Sequence, residues 1–422
     1  MDNHTITLVA GRECMMAVPV LYISYDGMTD ALGQSQVIPY LIGLSKKGYA
    51  FTLLSCEKEG NYQNNKHKIE QLLSGYQIDW HPISYTKKPP VLSTLYDVSR
   101  LRKKAVELYR TKHFAMVHCR SYIASLVGLR MKHTFGVPFI FDMRGLWADE
   151  RVDGKLWNLE NPLYKAVYGY FKRKEKQFLE NADYTVSLTY NARNEILSWK
   201  HLAKDKVKME VIPCCVDLNL FNRNLIQQDK QALFLQELKI HPQDYVLLYL
   251  GSIGTWYMLD EMMEFFQRLS TVKPHAKFLF VTKDEHERIL QTADKYGVKD
   301  AIILRPGARQ EIPYLISICT FSIFFILPSY SKKASSPTKQ GEIMAMGKPV
   351  VCNVNVGDTD KIVTDYHSGV LVTDFSTTAY EHAIREMDAG FDATKISSGA
   401  QEYFSLEQGV EKYAAIYTSV LS

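Results

Sequence analysis

The stretch SSPTKQGEIMAMGKPVV, Ser335 to Val351, sets two serines, a proline, a lysine and a glutamate directly before an apolar strand. Either Ser335 or Ser336 can cap a helix whose first residue is Pro337, because the N–H that proline lacks is unpaired there in any helix. Gly347 follows the last apolar residue, Met346, and Pro349 stands two further on, so the spacing predicts a helix of about ten residues from Pro337. Lys339 falls in its first turn, where the helix dipole disfavours a cation. An anion shared by the free N–H groups, the serine hydroxyls and the Lys339 ammonium would remove that conflict. Glu342 lies too deep to be a cap but within reach of hydroxyls beside such an anion, and phosphate plus diol points to a nucleotide. The same residues also describe an ordinary capped helix with a solvated lysine, so the surrounding chain has to decide.

Outward from this stretch, short apolar β-branched runs alternate with longer amphipathic ones, the pattern of βα units and a parallel sheet. VLYIS (20–24), FTLLS (51–55), WHPISY (80–85), MVHC (116–119), PFIFDM (138–143), YTVSLT (184–189) and MEVIP (209–213) make one series. The alternation lapses in a polar, helix-prone stretch after Phe221. It resumes with YVLLYLG (245–251), KFLFVT (277–282), AIILR (301–305), FSIFFIL (321–327), PVVCN (349–353) and GVLV (369–372). Two doubly wound α/β sheets in series imply a cleft at the carboxyl ends of their strands. The opening stretch follows FSIFFIL and so points its helix start into that cleft, which favours the anion. The expected division is a leader over 1–16, a first domain over 17–222, a second over 223–402, and a terminal helix within 403–422 that crosses back to the first.

The 422 residues and 46% hydrophobic content suffice for two or three real cores, and a net charge of +4 calls for no nucleic-acid partner. Positive charge is local: Arg100, Arg102, Lys103 and Lys104 form one cluster, and Lys172, Arg173, Lys174 and Lys176 another. Such runs are commonly solvated helix faces, although a basic face can also rest on anionic lipid. The seven cysteines show no metal-ligand spacing and read as reduced core thiols of a cytoplasmic protein. The longest apolar runs, MMAVPVLYIS and FSIFFIL, are too short to span a bilayer and read as strands.

Four loops could carry chemistry. SYDGMTDALGQSQV follows the first strand, with Gly27 and Gly33 able to let backbone approach a ligand. It is not a dinucleotide fingerprint, and Glu57 near the end of the second strand is a weak ribose ligand without one, so a nicotinamide enzyme is the poorer reading. FDMRGLWADERV gathers Asp142, Arg144, Trp147, Asp149, Glu150 and Arg151 at a strand end, a set that suits a polar substrate such as a sugar, with a self-paired network capping the sheet as the alternative. LGSIGTWY offers Gly251, Ser252 and Gly254, and VTKDE places Lys283 at the next strand end, as a donor contact or a solvated lysine. His118, inside MVHC, reads as a core histidine before a base.

These pieces, in this order from Ala17 onward, resemble the family 4 glycosyltransferases, retaining GT-B enzymes with two Rossmann-like domains facing across a cleft. The resemblance rests on DGMTDALGQSQV, FDMRGLWADERVDG, VIPCCVDLNLF, YLGSIGTWY, SSPTKQGEIMAMGKPVV and GVLV. It implies that Glu342 holds the donor ribose and that Ser335, Ser336, Pro337, Thr338 and Lys339 meet the donor phosphates. The loop at Gly33 would face the pyrophosphate. Four positions depart from the family pattern: Ala334 stands for the first glutamate of its pair, Ser252 and Tyr257 or Met258 for its arginine and lysine, and Asp142 for its histidine. A subfamily drawing phosphate charge from Lys339, with Lys332 or Lys333 nearby, accounts better than decay for the retained polar residues.

The resemblance further implies transfer from a UDP- or GDP-sugar to a glycan or lipid-linked acceptor, in cell-surface polysaccharide biosynthesis, with no metal and no cofactor beyond the donor itself. Asp142, Arg144 and Lys339 are the expected catalytic residues. Gly33, Gly251, Ser252, Lys283, Ser335 to Lys339 and Glu342 would bind donor, and Trp147, Asp149, Glu150 and Arg151 acceptor. Where the acceptor is lipid-linked, peripheral contact at the inner face of the membrane is expected. An inert nucleotide-sugar-binding partner and a nucleotide-sugar epimerase are the alternatives.

Overall fold

The structure, a computed structural model, describes residues 17–422; the expected leader and Cys14 lie outside them. Seven parallel strands, β1 (Val18–Ser24), β2 (Tyr49–Glu57), β3 (Ile78–Ser84), β4 (Met116–Arg120), β5 (Phe139–Asp142), β6 (Tyr184–Ser187) and β7 (Met209–Val211), form the first sheet in the order β3-β2-β1-β4-β5-β6-β7. Six more, β8 (Tyr245–Leu250), β9 (Ala276–Val281), β10 (Ile302–Arg305), β11 (Phe321–Phe324), β12 (Val350–Asn353) and β13 (Gly369–Val372), form the second in the order β10-β9-β8-β11-β12-β13. Helices cover both faces of each sheet, which is why the strands read as near-continuous apolar runs. Strand order reverses between β1 and β4 and between β8 and β11, and at such switch points adjacent crossovers diverge and leave a crevice. This is the GT-B architecture.

Sequence and structure differ most at FSIFFIL, whose seven residues, six of them apolar, give a strand of only four. Beyond Phe324 the chain leaves the sheet. The Asn353 side chain takes the place of a neighbouring strand, accepting from Ile326 N at 2.8 Å and donating to Ile326 O at 2.9 Å. Leu327 N and Met258 N then bond to Trp256 O and Phe325 O, which fixes Trp256 over the cleft. The predicted helix runs Thr338–Ala345, with Pro337 as N-cap and no side-chain cap; it ends at Gly347, whose φ of +68° suits glycine. The expected serine cap is corrected by geometry: Ser336 Oγ instead accepts from Cys214 N of the first domain at 3.1 Å.

The terminal helix Leu406–Leu421 packs against the helix Ile38–Ser45. Gly43 makes the approach close, since a Cβ there would meet Val410 Cγ2 at 2.5 Å. Val410, Tyr413, Ile416 and Tyr417 join Val20, Tyr22, Leu41 and Phe51 in one core. At the crossing, Val216 N donates to Phe404 O (2.7 Å) and Leu406 N to Val216 O (3.1 Å), so the chain's two passages between domains are bonded together. The six described cysteines are buried free thiols. No helix among the described residues is long and apolar enough to cross a membrane.

Candidate active site

The helix Thr338–Ala345 starts just after β11, beside a switch point. Glu342, 1% exposed, lies between two cations: its Oε2 accepts from Lys339 Nζ at 2.8 Å and its Oε1 from Arg309 Nη1 at 3.2 Å. Lys339 is therefore compensated within its own helix, where the sequence had left it looking for an anion. An ammonium has three donors, so this bond leaves two. Arg309, which follows β10 and packs on the Phe221 ring at 5.3 Å, escaped the sequence reading. The strand-end rule applied after AIILR would have found it.

The neighbouring loop after β8 turns at Gly251, φ +132°. Asp284 holds it, accepting from Ser252 Oγ at 3.2 Å and Ile253 N at 2.6 Å. Lys283 beside it is exposed and has no ion-pair partner among the described residues. Across the cleft, Gly33 is packed so tightly that a Cβ would sit 2.3 Å from Gly27 O. Glu57 clamps this loop, accepting from Met28 N (2.7 Å), Thr29 N (3.1 Å) and Thr29 Oγ1 (2.5 Å). Its role is therefore to shape the glycine loop.

Asp142 and Arg144, the expected catalytic residues, come together in a buried, self-paired cluster, the alternative that the sequence left open for this loop. Asp142 is 1% exposed; Oδ2 accepts from Tyr413 OH at 3.2 Å and lies 3.6 Å from His118 Nε2, while Oδ1 is 3.8 Å from Arg144 Nη1. Burial pushes the Asp142 carboxyl up, but Arg144, His118 and Arg120 outweigh it and hold it below the usual carboxylate range. Burial lowers the pKa of His118, which Asp142 only partly offsets, and His118 Nδ1 meets Tyr417 OH at 2.7 Å. Arg144 adopts the left-handed φ of +59°, a strained state that clusters at functional sites. Its Nε and Nη1, with Asp142 Oδ1, have no hydrogen-bond partner among the described residues.

The helix Trp147–Asp153 splits the other acceptor candidates. Asp149 turns inward to Tyr168 OH and Lys172 Nζ, each at 2.8 Å, and so serves the first-domain scaffold; its expected acceptor contact is not available. Glu150 faces the second domain and pairs with Lys332 Nζ at 2.6 Å. Lys332, with its side chain 6% exposed, lies 3.6 Å over the Trp256 ring; burial lowers its pKa although Glu150 works against that. Asp153 accepts from Ser331 N, adding to the same interdomain seam. Trp147 and Arg151, one turn apart, point elsewhere together, with the guanidinium 4.9 Å over the indole.

The expected basic membrane face is compensated at half of its positions: Lys172 pairs with Asp149 and Glu175, Lys176 with Glu180, Lys104 with Glu107 and Arg100 with Asp97, while Arg102, Lys103, Arg173 and Lys174 have no ion-pair partner among the described residues. Membrane contact gains no support from it. No group of three or more His, Cys, Asp or Glu among the described residues has metal-binding geometry.

The Glycosyltransferase Family 4 model matches residues 37–220, and the Glycosyl transferases group 1 model residues 230–389. No curated protein matches the chain. Among solved structures, it is similar to sucrose-phosphate synthase from Thermosynechococcus elongatus (TM-score 0.73, 15% identity, covering 95% of this chain and 98% of that one). Anabaena HepE in complex with UDP and glucose gives 0.69 and 14%, covering 94% and 99%. The UDP-GlcNAc 2-epimerase of Neisseria meningitidis gives 0.60 and 13%, covering 96% and 100%; at these identities the likeness shows the fold. With both halves matched in order, the chain belongs to the family 4 glycosyltransferases.

Proposed function

We propose that the protein transfers a hexosyl group, with retention, from a UDP- or GDP-sugar to a hydroxyl of a glycan or lipid-linked acceptor in polysaccharide biosynthesis. The observation that carries this reading is the buried Glu342 carboxylate between Lys339 and Arg309 at a switch-point helix start. A ribose diol can donate to Glu342. The remaining Lys339 donors and the free N–H groups near Thr338 suit the diphosphate, whose charge grows as the glycosidic bond breaks; donors already in place lower that barrier. In this reading Ser252, exposed Lys283 and the Gly33 loop add further donors to the same ligand.

In this reading Arg144 and Asp142 act from within their buried cluster as positioning residues, and their unpartnered atoms are the ones a small rearrangement would offer to a sugar hydroxyl. The seam from Glu150 to Lys332 keeps the cleft closed and excludes water, favouring transfer over hydrolysis. Neither metal nor cofactor has a step here, because Lys339 and Arg309 supply the positive charge. HepE, with its UDP and glucose, makes UDP-glucose the first donor to try.

The test is nucleoside diphosphate release from UDP- and GDP-sugars with and without glycan acceptors. Acceptor-dependent release accompanied by a new glycoside is expected. Isomerisation of the sugar nucleotide without acceptor would replace transfer with epimerisation, and binding without any turnover would leave an inert partner.

A further inference from the structure

We propose that the groove beside Trp147 binds the hydrocarbon chain of an amphipathic anion, a phosphate-headed lipid, whose head is held at the mouth by Arg151 and Lys87. Calling this molecule the acceptor rests on the transfer reading above; the binding does not.

The helices Leu92–Lys112, Ser121–Phe135, Trp147–Asp153 and Pro162–Asn181 enclose a cavity of about 590 Å³, within the range of small-ligand sites. Val98, Ile123, Leu126, Trp157, Val167 and Phe171 give it apolar walls. Apolar surface continues outward: Leu95 is 58%, Leu156 53% and Tyr170 38% exposed at the rim, with Leu92 (63%) and Tyr96 (57%) alongside. A contiguous apolar surface rimmed by polar groups is uncommon on a soluble protein without a ligand or partner for it. Val91, which also lines the groove, holds a φ of +68°, a true outlier for a β-branched residue, and strain of this kind collects at ligand clamps.

Charge selects the head group. Three charged side chains line the groove: Asp26, Lys87 and Arg151. Asp26 accepts from Arg120 Nε at 3.3 Å and is thereby compensated. The carboxylates nearest Arg151 in sequence are taken as well, Asp149 by Lys172 and Glu150 by Lys332. Among the described residues, Arg151, stacked on the Trp147 ring, and exposed Lys87 have no ion-pair partner, so the lining of an apolar groove carries two cations without a counter-charge. A neutral apolar molecule would leave both charges unanswered. An anion on a hydrocarbon chain answers both.

The placement also fits the cleft. Trp147 and Arg151 lie on the groove side of their helix, and Glu150 and Asp153 bond to Lys332 and Ser331 of the second domain. Tyr25 and Asp26, which line the groove, run directly into the loop containing Gly27 and Gly33. The groove is thus joined through one short helix to the interdomain seam and through one loop to the glycines of the donor reading.

The experiment is calorimetric titration of the full chain, without nucleotide, using n-alkyl phosphates of six, eight and ten carbons below their micelle concentrations. Matching n-alkyl glucosides, inorganic phosphate and phosphatidylglycerol vesicles complete the set. Affinity should rise by up to about fourfold per added CH₂, the value for burying a methylene, and phosphates should bind more tightly than glucosides. The double substitution L95E/L156E, at two exposed positions that leave the fold alone, should weaken octyl phosphate binding tenfold or more. R151Q/K87Q should abolish the preference for phosphate over glucoside. Affinity independent of chain length, or unchanged in L95E/L156E, overturns the proposal. So does binding to vesicles without binding of monomeric alkyl phosphate, which would make the patch a membrane-contact surface. Nucleotide binding depends on Glu342 and is measured separately, so either site can fail alone.

Discussion

Replacing Glu342 by glutamine tests the donor site with little change of shape. The carboxylate is 1% exposed, while its partners Arg309 and Lys339 have side chains 35% and 33% exposed. At that exposure each ion pair is worth under about 1 kcal/mol, and relief from burying an ion offsets part of the loss. The unliganded melting temperature should therefore move by no more than about 4 °C. Binding should respond more strongly, because two ribose hydroxyls each lose a charge-assisted bond. At about 1 kcal/mol apiece, this weakens nucleotide binding about 30-fold. With UDP or GDP at 100 times the wild-type dissociation constant, stabilisation should fall from about 2.7 to about 0.9 kcal/mol. For a domain of this size, that turns a thermal shift of about 5–11 °C into one of about 2–4 °C. An undiminished shift in Glu342→Gln would refute the ribose assignment. A collapse in stability without ligand would show instead that the carboxylate serves the fold.

Gly33→Ala would force a Cβ to within 2.3 Å of Gly27 O and 2.6 Å of Met28 Cα, both backbone, so the loop must shift. A stability loss of about 1–3 kcal/mol by denaturant titration is expected, with transfer falling further than stability accounts for. Glu150→Ala leaves Lys332 Nζ unpaired in the seam; because Glu150 is itself 37% exposed, about 1 kcal/mol is expected, and small-angle scattering should show a larger radius of gyration. Lys332→Met in that background should restore compactness. Acid should act in two stages. Folding lowers the pKa of His118, so stability is fully present above pH 6.5 and falls below it, by up to about 1.4 kcal/mol per pH unit, until the folded pKa is passed. Asp142, also lowered, contributes stability present above its unfolded value near 3.8 and lost below it. His118→Gln should remove the first stage from a melting profile against pH and keep the second.

The two sheets and the position of the donor helix were legible because they follow from local periodicity and from punctuation such as Pro337, Gly347 and Pro349. FSIFFIL misled on length because its last residues satisfy their backbone with a side chain, Asn353, that sequence periodicity does not display. Glu342 and Lys339 were found by their place at a helix start. Their partner Arg309 comes from another loop, 33 residues away from Glu342, and nothing local announces the pairing. Asp142 and Asp149 stood in one charged loop, yet both point into the protein, because a charge cluster in sequence does not say which way each side chain faces. Tyr413, 271 residues from Asp142, could not be read at all.

The terminal helix has a consequence for synthesis. Ribosomes make the chain from its first domain onward, yet that domain's core takes Val410, Tyr413, Ile416 and Tyr417 from beyond the second domain. At roughly 1.5–3 kcal/mol per buried side chain, the missing helix represents about 6–12 kcal/mol of gross apolar burial, comparable to the whole net stability of a domain. Until that helix emerges, the nascent first half must therefore present an uncovered apolar face around Leu41 and Phe51. A gene fragment ending at the interdomain linker should behave in the same way, as an aggregation-prone intermediate that recruits chaperones. It should become soluble when the helix is supplied as a separate peptide.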